Sequence, residues 1–232
     1  MAFPDGTEVR YDAAQWTRLH DLRETAAAVM EALAARRLSS AVFGSVARGD
    51  VTAKSDVDVI LPDVASSHAV EVALRLGGFH LYARRIAQAT PGHTPKAHIF
   101  VDAMEETCVT FPLASLRPLE REFYRFGGLL PVDRIQAGDR VPGCDKRLML
   151  IQPTPTGHVE TPIVGREPEV ARIVGVGVAI VRERIRVLTR REQVGRTGIV
   201  LARALREGEV FEEVLTQVAD ANPIVRRRLA RK

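Results

Sequence analysis

Cysteine, tryptophan, asparagine and lysine are scarce in this chain of 232 residues. It has two cysteines and one tryptophan; Asn222 is the sole asparagine, and the only lysines are Lys54, Lys96, Lys146 and Lys232. Cys108 and Cys144 stand apart with no ligand spacing around them, which argues against a disulfide scaffold and against a zinc site. No apolar run is long enough to span a bilayer, and no leader-like segment opens the chain, so a cytoplasmic protein away from membranes is expected. Internal repeats and low-complexity tracts are absent. Depletion of Asn, Cys and Met fits a heat-adapted protein, and arginine in place of lysine fits GC-rich coding equally well.

A 46% hydrophobic content with 27% charged residues is that of an ordinary globular chain. The charge is uneven. From Val176 to Lys232 there are 13 Lys/Arg and 7 Asp/Glu, a net of +6, whereas residues 1–175 carry a net of −2. The C-terminal quarter therefore suits an anionic partner.

Hydrophobic spacing predicts an amphipathic helix over 14–36, through Trp16, Leu19, Leu22, Ala26, Val29, Met30 and Leu33. It predicts a second helix over 66–77, ending at a glycine pair. Strands are expected at Ala41–Ser45, Asp56–Leu61, His80–Ala87 and Ala97–Ala103, and a short helix near Leu119–Phe126. This order predicts an α/β (α+β) fold, a small mixed β-sheet with helices packed on it, followed by a helical C-terminal domain. Residues 1–128 form the first expected domain. Residues 129–165 form a Pro/Gly-rich connector or β-containing lobe with one clear strand, Arg147–Gln152. Residues 166–232 form a basic helical domain.

The most informative segment is Ala41–Leu61, AVFGSVARGDVTAKSDVDVIL. Gly44 lets a phosphate approach the main chain. Ser45 opens a helix whose free N–H groups and dipole attract anions, and Arg48, one turn further on, is expected to reach the same phosphates. Asp56 and Asp58 are two apart, so on a strand they share a face. Two adjacent carboxylates are costly to keep ionised without cations, which points to Mg²⁺ bridging the phosphates of a nucleoside triphosphate. A third carboxylate is wanted for a second metal and for base work. Asp102 is the first choice, at the end of an apolar strand where His98 and Phe100 share its face, with Glu105 and Glu106 behind it.

These residues, Gly44-Ser45-x-Ala47-Arg48-Gly49 and Ser55-Asp56-x-Asp58, resemble the signature of the DNA polymerase β-like nucleotidyltransferase superfamily over about residues 14–103. The resemblance implies transfer of a nucleoside monophosphate from an NTP, ATP first among them, to a hydroxyl. It also implies two Mg²⁺ ions on Asp56, Asp58 and Asp102, and phosphates at Gly44 and Ser45.

Further on, Glu167–Arg186 is similar to the helix-turn-helix of many bacterial and archaeal regulators, with Ala171 small, Gly175 in the turn, and Val176 and Val181 in the core. Arg184 departs from the pattern, standing where an apolar residue is usual. Arg182, Arg186 and Arg190 would line one side of the second helix as phosphate contacts for RNA or another nucleic acid. The alternative is a helical hairpin that only packs on its neighbours. His158 and Glu160 share a face in extended chain, and a structural histidine is the commoner explanation. The expected function is thus a Mg-dependent, RNA-related nucleotidyltransferase. The alternative is a nucleic-acid-binding regulator whose nucleotidyltransferase fold senses nucleotides without turnover.

Overall fold

A computed structural model describes residues 6–195 and 198–230; the ends of the first and last expected domains, including Lys232, lie outside them. The elements run β1 (Thr7–Arg10), α1 (Ala13–Ala34), β2 (Ala41–Phe43), α2 (Ser45–Arg48), β3 (Val57–Ile60), α3 (Ser67–Leu76), β4 (Ala83–Gln88), β5 (Lys96–Phe100), β6 (Thr107–Pro112) and α4 (Pro118–Gly127). They continue with β7 (Leu129–Pro131), α5 (Val132–Gln136), β8 (Gly143–Cys144), β9 (Met149–Thr154), β10 (Gly157–Pro162), α6 (Glu167–Val174), α7 (Val178–Val194), β11 (Leu201–Ala204), α8 (Phe211–Ala221) and α9 (Pro223–Leu229). This is the mixed α/β architecture expected, with a largely helical C-terminal region. Among the described residues no helix is long and apolar enough to cross a membrane.

The described residues fall into two compact units, each built from separate stretches: 6–27, 42–57 and 118–195 in the first, 28–41, 58–117 and 198–230 in the second. In the first unit β2 lies beside β7, and a sheet runs in the order β1-β10-β9-β8. The stretch expected as a connector thus supplies a strand pair, β9 with β10 antiparallel, and the N-terminal β1 joins β10. Its apolar core gathers Phe126, Cys144, Leu150, Ile163, Val170, Ile180, Val181 and Leu188.

The second unit carries strands in the order β11-β4-β5-β6-β3. β4–β5, β5–β6 and β11–β4 are antiparallel. Two of these strands have weak sequence signatures. β6, TCVTFP, is buried along its whole length and shows no alternation. β11, LARA, has little strand propensity and forms because the β4 edge accepts it. The C-terminal region is therefore not all helix. α8 docks through Phe211, fully buried with its ring 5.8 Å from that of Phe111. Glu212 accepts from both the N–H and the hydroxyl of Ser67, closing the first turn of α3 from outside. Arg228 of α9 is buried and donates to Thr94 and to the Ser115 carbonyl.

Candidate active site

Gly44 sits at the start of α2 with φ +82°, and Gly49 follows it with φ +105°, conformations that L side chains rarely adopt. Between them Ser45–Arg48 makes a single helical turn, with Arg48 N–H donating to the Gly44 carbonyl at 3.0 Å. The Gly44 N–H donates to the Gly128 carbonyl at 2.9 Å, and a Cβ on Gly44 would meet nothing within 4 Å. The glycine is needed for its backbone angles and leaves open space above the turn.

The Ser45 hydroxyl donates to that of Ser55 at 3.2 Å, and Ser55 in turn accepts from the Thr52 N–H at 2.9 Å. The turn is thereby tied to the residue that precedes Asp56. Asp56 is exposed, one residue before β3, and Asp58 is half-buried inside it, while Val57 and Val59 between and beyond them are buried. This alternation puts both carboxylates on the same side of the strand, away from the core.

Arg48 is placed differently from its sequence expectation. It is buried, its Nε and Nη2 donate to both oxygens of Asp50 at 2.9 and 2.8 Å, and its Nη1 donates to the Gly127 carbonyl. Its fork is committed to holding the turn. The partner Asp50 was overlooked in the sequence, although an arginine and an aspartate two apart across a glycine are the available signal. Arg23 of α1 supports the same turn by donating to the carbonyls of Val46 and Ala47.

β5 ends at Phe100, so Asp102 lies in the β5–β6 connection. Its carboxylate accepts from the N–H groups of Met104, Glu106 and Thr107, at 2.9, 3.0 and 2.5 Å. Burial alone would raise its pKa, but the Glu106, Thr107 and Met104 donors outweigh it and hold the carboxyl below its usual value. The strand beside β3 is β6, which offers Cys108 and Thr110. The Cys108 thiol is pushed up to about 12, mainly by burial and further by the charge of Asp58. His98 Nδ1 lies 2.9 Å from Thr110 Oγ1, and burial, with Lys96 and Arg85 adding to it, lowers its pKa to about 4. The imidazole is neutral at pH 7.

Among the described residues no three His, Cys, Asp or Glu side chains gather as a metal-holding group. A magnesium ion that keeps phosphate oxygens and water in its shell needs only one or two protein carboxylates, and the hard oxygens of Asp56 and Asp58 fit that role.

A family model described as a nucleotidyltransferase domain matches residues 23–78. This stretch of the chain is similar to a nucleotidyltransferase domain. The match is consistent with a member of the polymerase β-like superfamily, and it covers α1 from Arg23 through α3. Gly44, Ser45, Arg48, Asp56 and Asp58 of the nucleotidyltransferase signature all lie inside it, and Asp102 lies outside. Neither the curated proteins nor the solved structures yield a match to the chain.

The remaining expected site residues lie on other elements. Arg182, Arg186 and Arg190 are exposed along α7, as their spacing predicts. Gly175 ends α6 in the left-handed region, and Val170, Ala171 and Val181 are buried. Arg184 occupies its apolar position by lying over the Phe123 ring, 5.1 Å from the centroid, with Glu183 3.7 Å away. His158 is buried, with Nδ1 2.7 Å from the Tyr11 hydroxyl and Nε2 3.1 Å from Glu160, which also pairs with Arg147. Its ring ties β10 to the residue that follows β1, a structural role.

Proposed function

We propose that the protein is a Mg²⁺-dependent nucleotidyltransferase that moves a nucleoside monophosphate from an NTP, ATP in the first place, to a hydroxyl on an RNA-related acceptor. The observation that carries this reading is the glycine-flanked turn tied through Ser45 and Ser55 to the strand bearing Asp56 and Asp58. Phosphates sit against Gly44 and the Ser45 hydroxyl. Arg48 and Asp50 keep the turn in place.

Asp56 and Asp58 would hold the metal, which would supply neutralisation of phosphate charge and acidify the acceptor hydroxyl. The Asp102 carboxylate is engaged by three N–H groups of its own loop. It is therefore assigned the closing of its own loop, and the reading rests on the carboxylate pair. The exposed arginines of α7 contact the acceptor, within the division of the sequence at 128 and 165.

Incubating labelled NTP with Mg²⁺ and total RNA tests the reading. Label is expected on RNA with the wild type and not with Asp56→Ala. Equal transfer by Asp56→Ala overturns it, and NTP binding with no transfer to RNA, protein or small hydroxyl compounds favours the nucleotide-sensing regulator instead.

A further inference from the structure

In the second unit a cavity of about 580 Å³ opens between α3, the start of β4 and the loop joining β11 to α8. Its volume falls in the range of small-molecule sites. Its outer wall comes from residues 205–210, outside the stretch matched as a nucleotidyltransferase domain. No residue of the phosphate turn or the carboxylate pair lines it.

The floor is rigid. Arg84 donates to Glu71 at 3.0 Å, to the Glu209 carbonyl at 2.9 Å and to the Arg206 carbonyl at 2.7 Å, so one side chain fastens the loop to α3. That same fastening satisfies the carboxylate of Glu71, which also faces Arg75 at 3.4 Å. Glu209 is engaged by Arg203 and by the Arg206 N–H. Of the lining carboxylates only Glu207 is left, and it is exposed.

The cations are differently placed. Arg206 is exposed, and its charge acts on Glu209, whose carboxylate takes its side-chain hydrogen bond from Arg203. Arg75 keeps most of its side chain in solvent. Beside them His80 and Tyr82 meet edge to face at 4.6 Å, and Tyr82 is 54% exposed, a large aromatic surface at the rim of a polar cavity. Acids already paired, available guanidiniums and an open aromatic ring are the recognition elements for a phosphate attached to a planar base.

We infer that this cavity binds a free mononucleotide, its phosphate on Arg206 and Arg75 and its base against Tyr82, as a site separate from the transfer centre. Pre-organisation by Arg84 means that little ordering is needed on binding.

The test is calorimetric titration of the full chain with AMP in EDTA, which removes metal-dependent binding at the carboxylate pair. AMP is expected to bind, and an Asp56→Asn, Asp58→Asn variant is expected to bind it as tightly as the wild type. Arg206→Glu and Tyr82→Ala should each weaken it about tenfold, the size of a lost stacking or charged contact, with the melting temperature unchanged because both side chains are exposed. Absence of AMP binding, or binding unmoved by both cavity variants, overturns the inference. So does ribose 5-phosphate binding as tightly as AMP, since the ring would then contribute nothing, or a single-stranded oligoribonucleotide binding where AMP does not. Loss of label transfer in Asp56→Ala bears on the transfer centre alone and leaves this result independent.

Discussion

The hydroxyl of Ser45 lies 3.2 Å from that of Ser55, one residue before Asp56. The glycine-flanked turn and the approach to the carboxylate strand are joined by this bond. Ser45→Ala removes both the bond and the hydroxyl proposed to meet the phosphates, and kcat/KM for label transfer is expected to fall about tenfold or more. Ser55→Ala removes the bond and the acceptor of the Thr52 N–H but keeps the Ser45 hydroxyl, and should fall less. Equal rates for wild type and Ser45→Ala would remove the turn from the reaction.

Arg48 is a test of what a buried guanidinium does. Arg48→Ala leaves Asp50 buried without its partner, which typically costs about 3–5 kcal/mol. Urea unfolding should show that loss, and Asp50→Ala should show a similar one. The double variant should lose less than the two together, because they share one interaction. An Arg48→Ala protein as stable as the wild type but weaker for NTP would return Arg48 to a direct phosphate role.

Asp102 makes a prediction about pH. Its folded pKa lies below its ordinary value of 3.8, so its three N–H bonds contribute stability that is fully present above that value. The contribution is lost as pH falls through the folded value. Unfolding of Asp102→Ala should therefore show a stability deficit that is constant at neutral pH and closes in acid. Label transfer should survive Asp102→Ala far better than Asp56→Ala. A loss as complete as that of Asp56→Ala would restore a three-carboxylate centre.

The arginines divide into two kinds. Arg182, Arg186 and Arg190 are exposed on α7, and replacing each by alanine should weaken RNA binding alike for all sequences, lowering the salt slope by about one apiece. Arg228 is buried against Thr94 and Ser115, so Arg228→Ala should leave the salt slope alone and lower the unfolding midpoint. RNA binding unchanged in the triple alanine variant would reduce α7 to packing.

Local rules were enough for α1 and α3, whose buried stripes recur at helical spacing, and for the glycine turn and Asp56-x-Asp58, whose conformations depend on neighbours a few residues away. They also placed the exposed side of α7. They overlooked β6, because a strand buried on both faces carries no period. Without β6, Asp102 reads as the end of the strand expected at Ala97–Ala103, whereas it lies in the connection that β6 closes.

The sequence by itself determined the glycine-flanked turn, the spacing of the two carboxylates after it and the helices around them, since each follows from backbone angles, alternation or periodicity within a short window. Tertiary structure decided which charges are available. Arg48, Arg84 and Arg228 look in sequence like any other arginine. They are committed because Gly127, Glu209 and Ser115, distant along the chain, supply carbonyls to guanidiniums that are buried at Arg48 and Arg228 and half-buried at Arg84. Arg206 is available because folding turns its carbonyl inward to Arg84 and leaves its side chain in solvent.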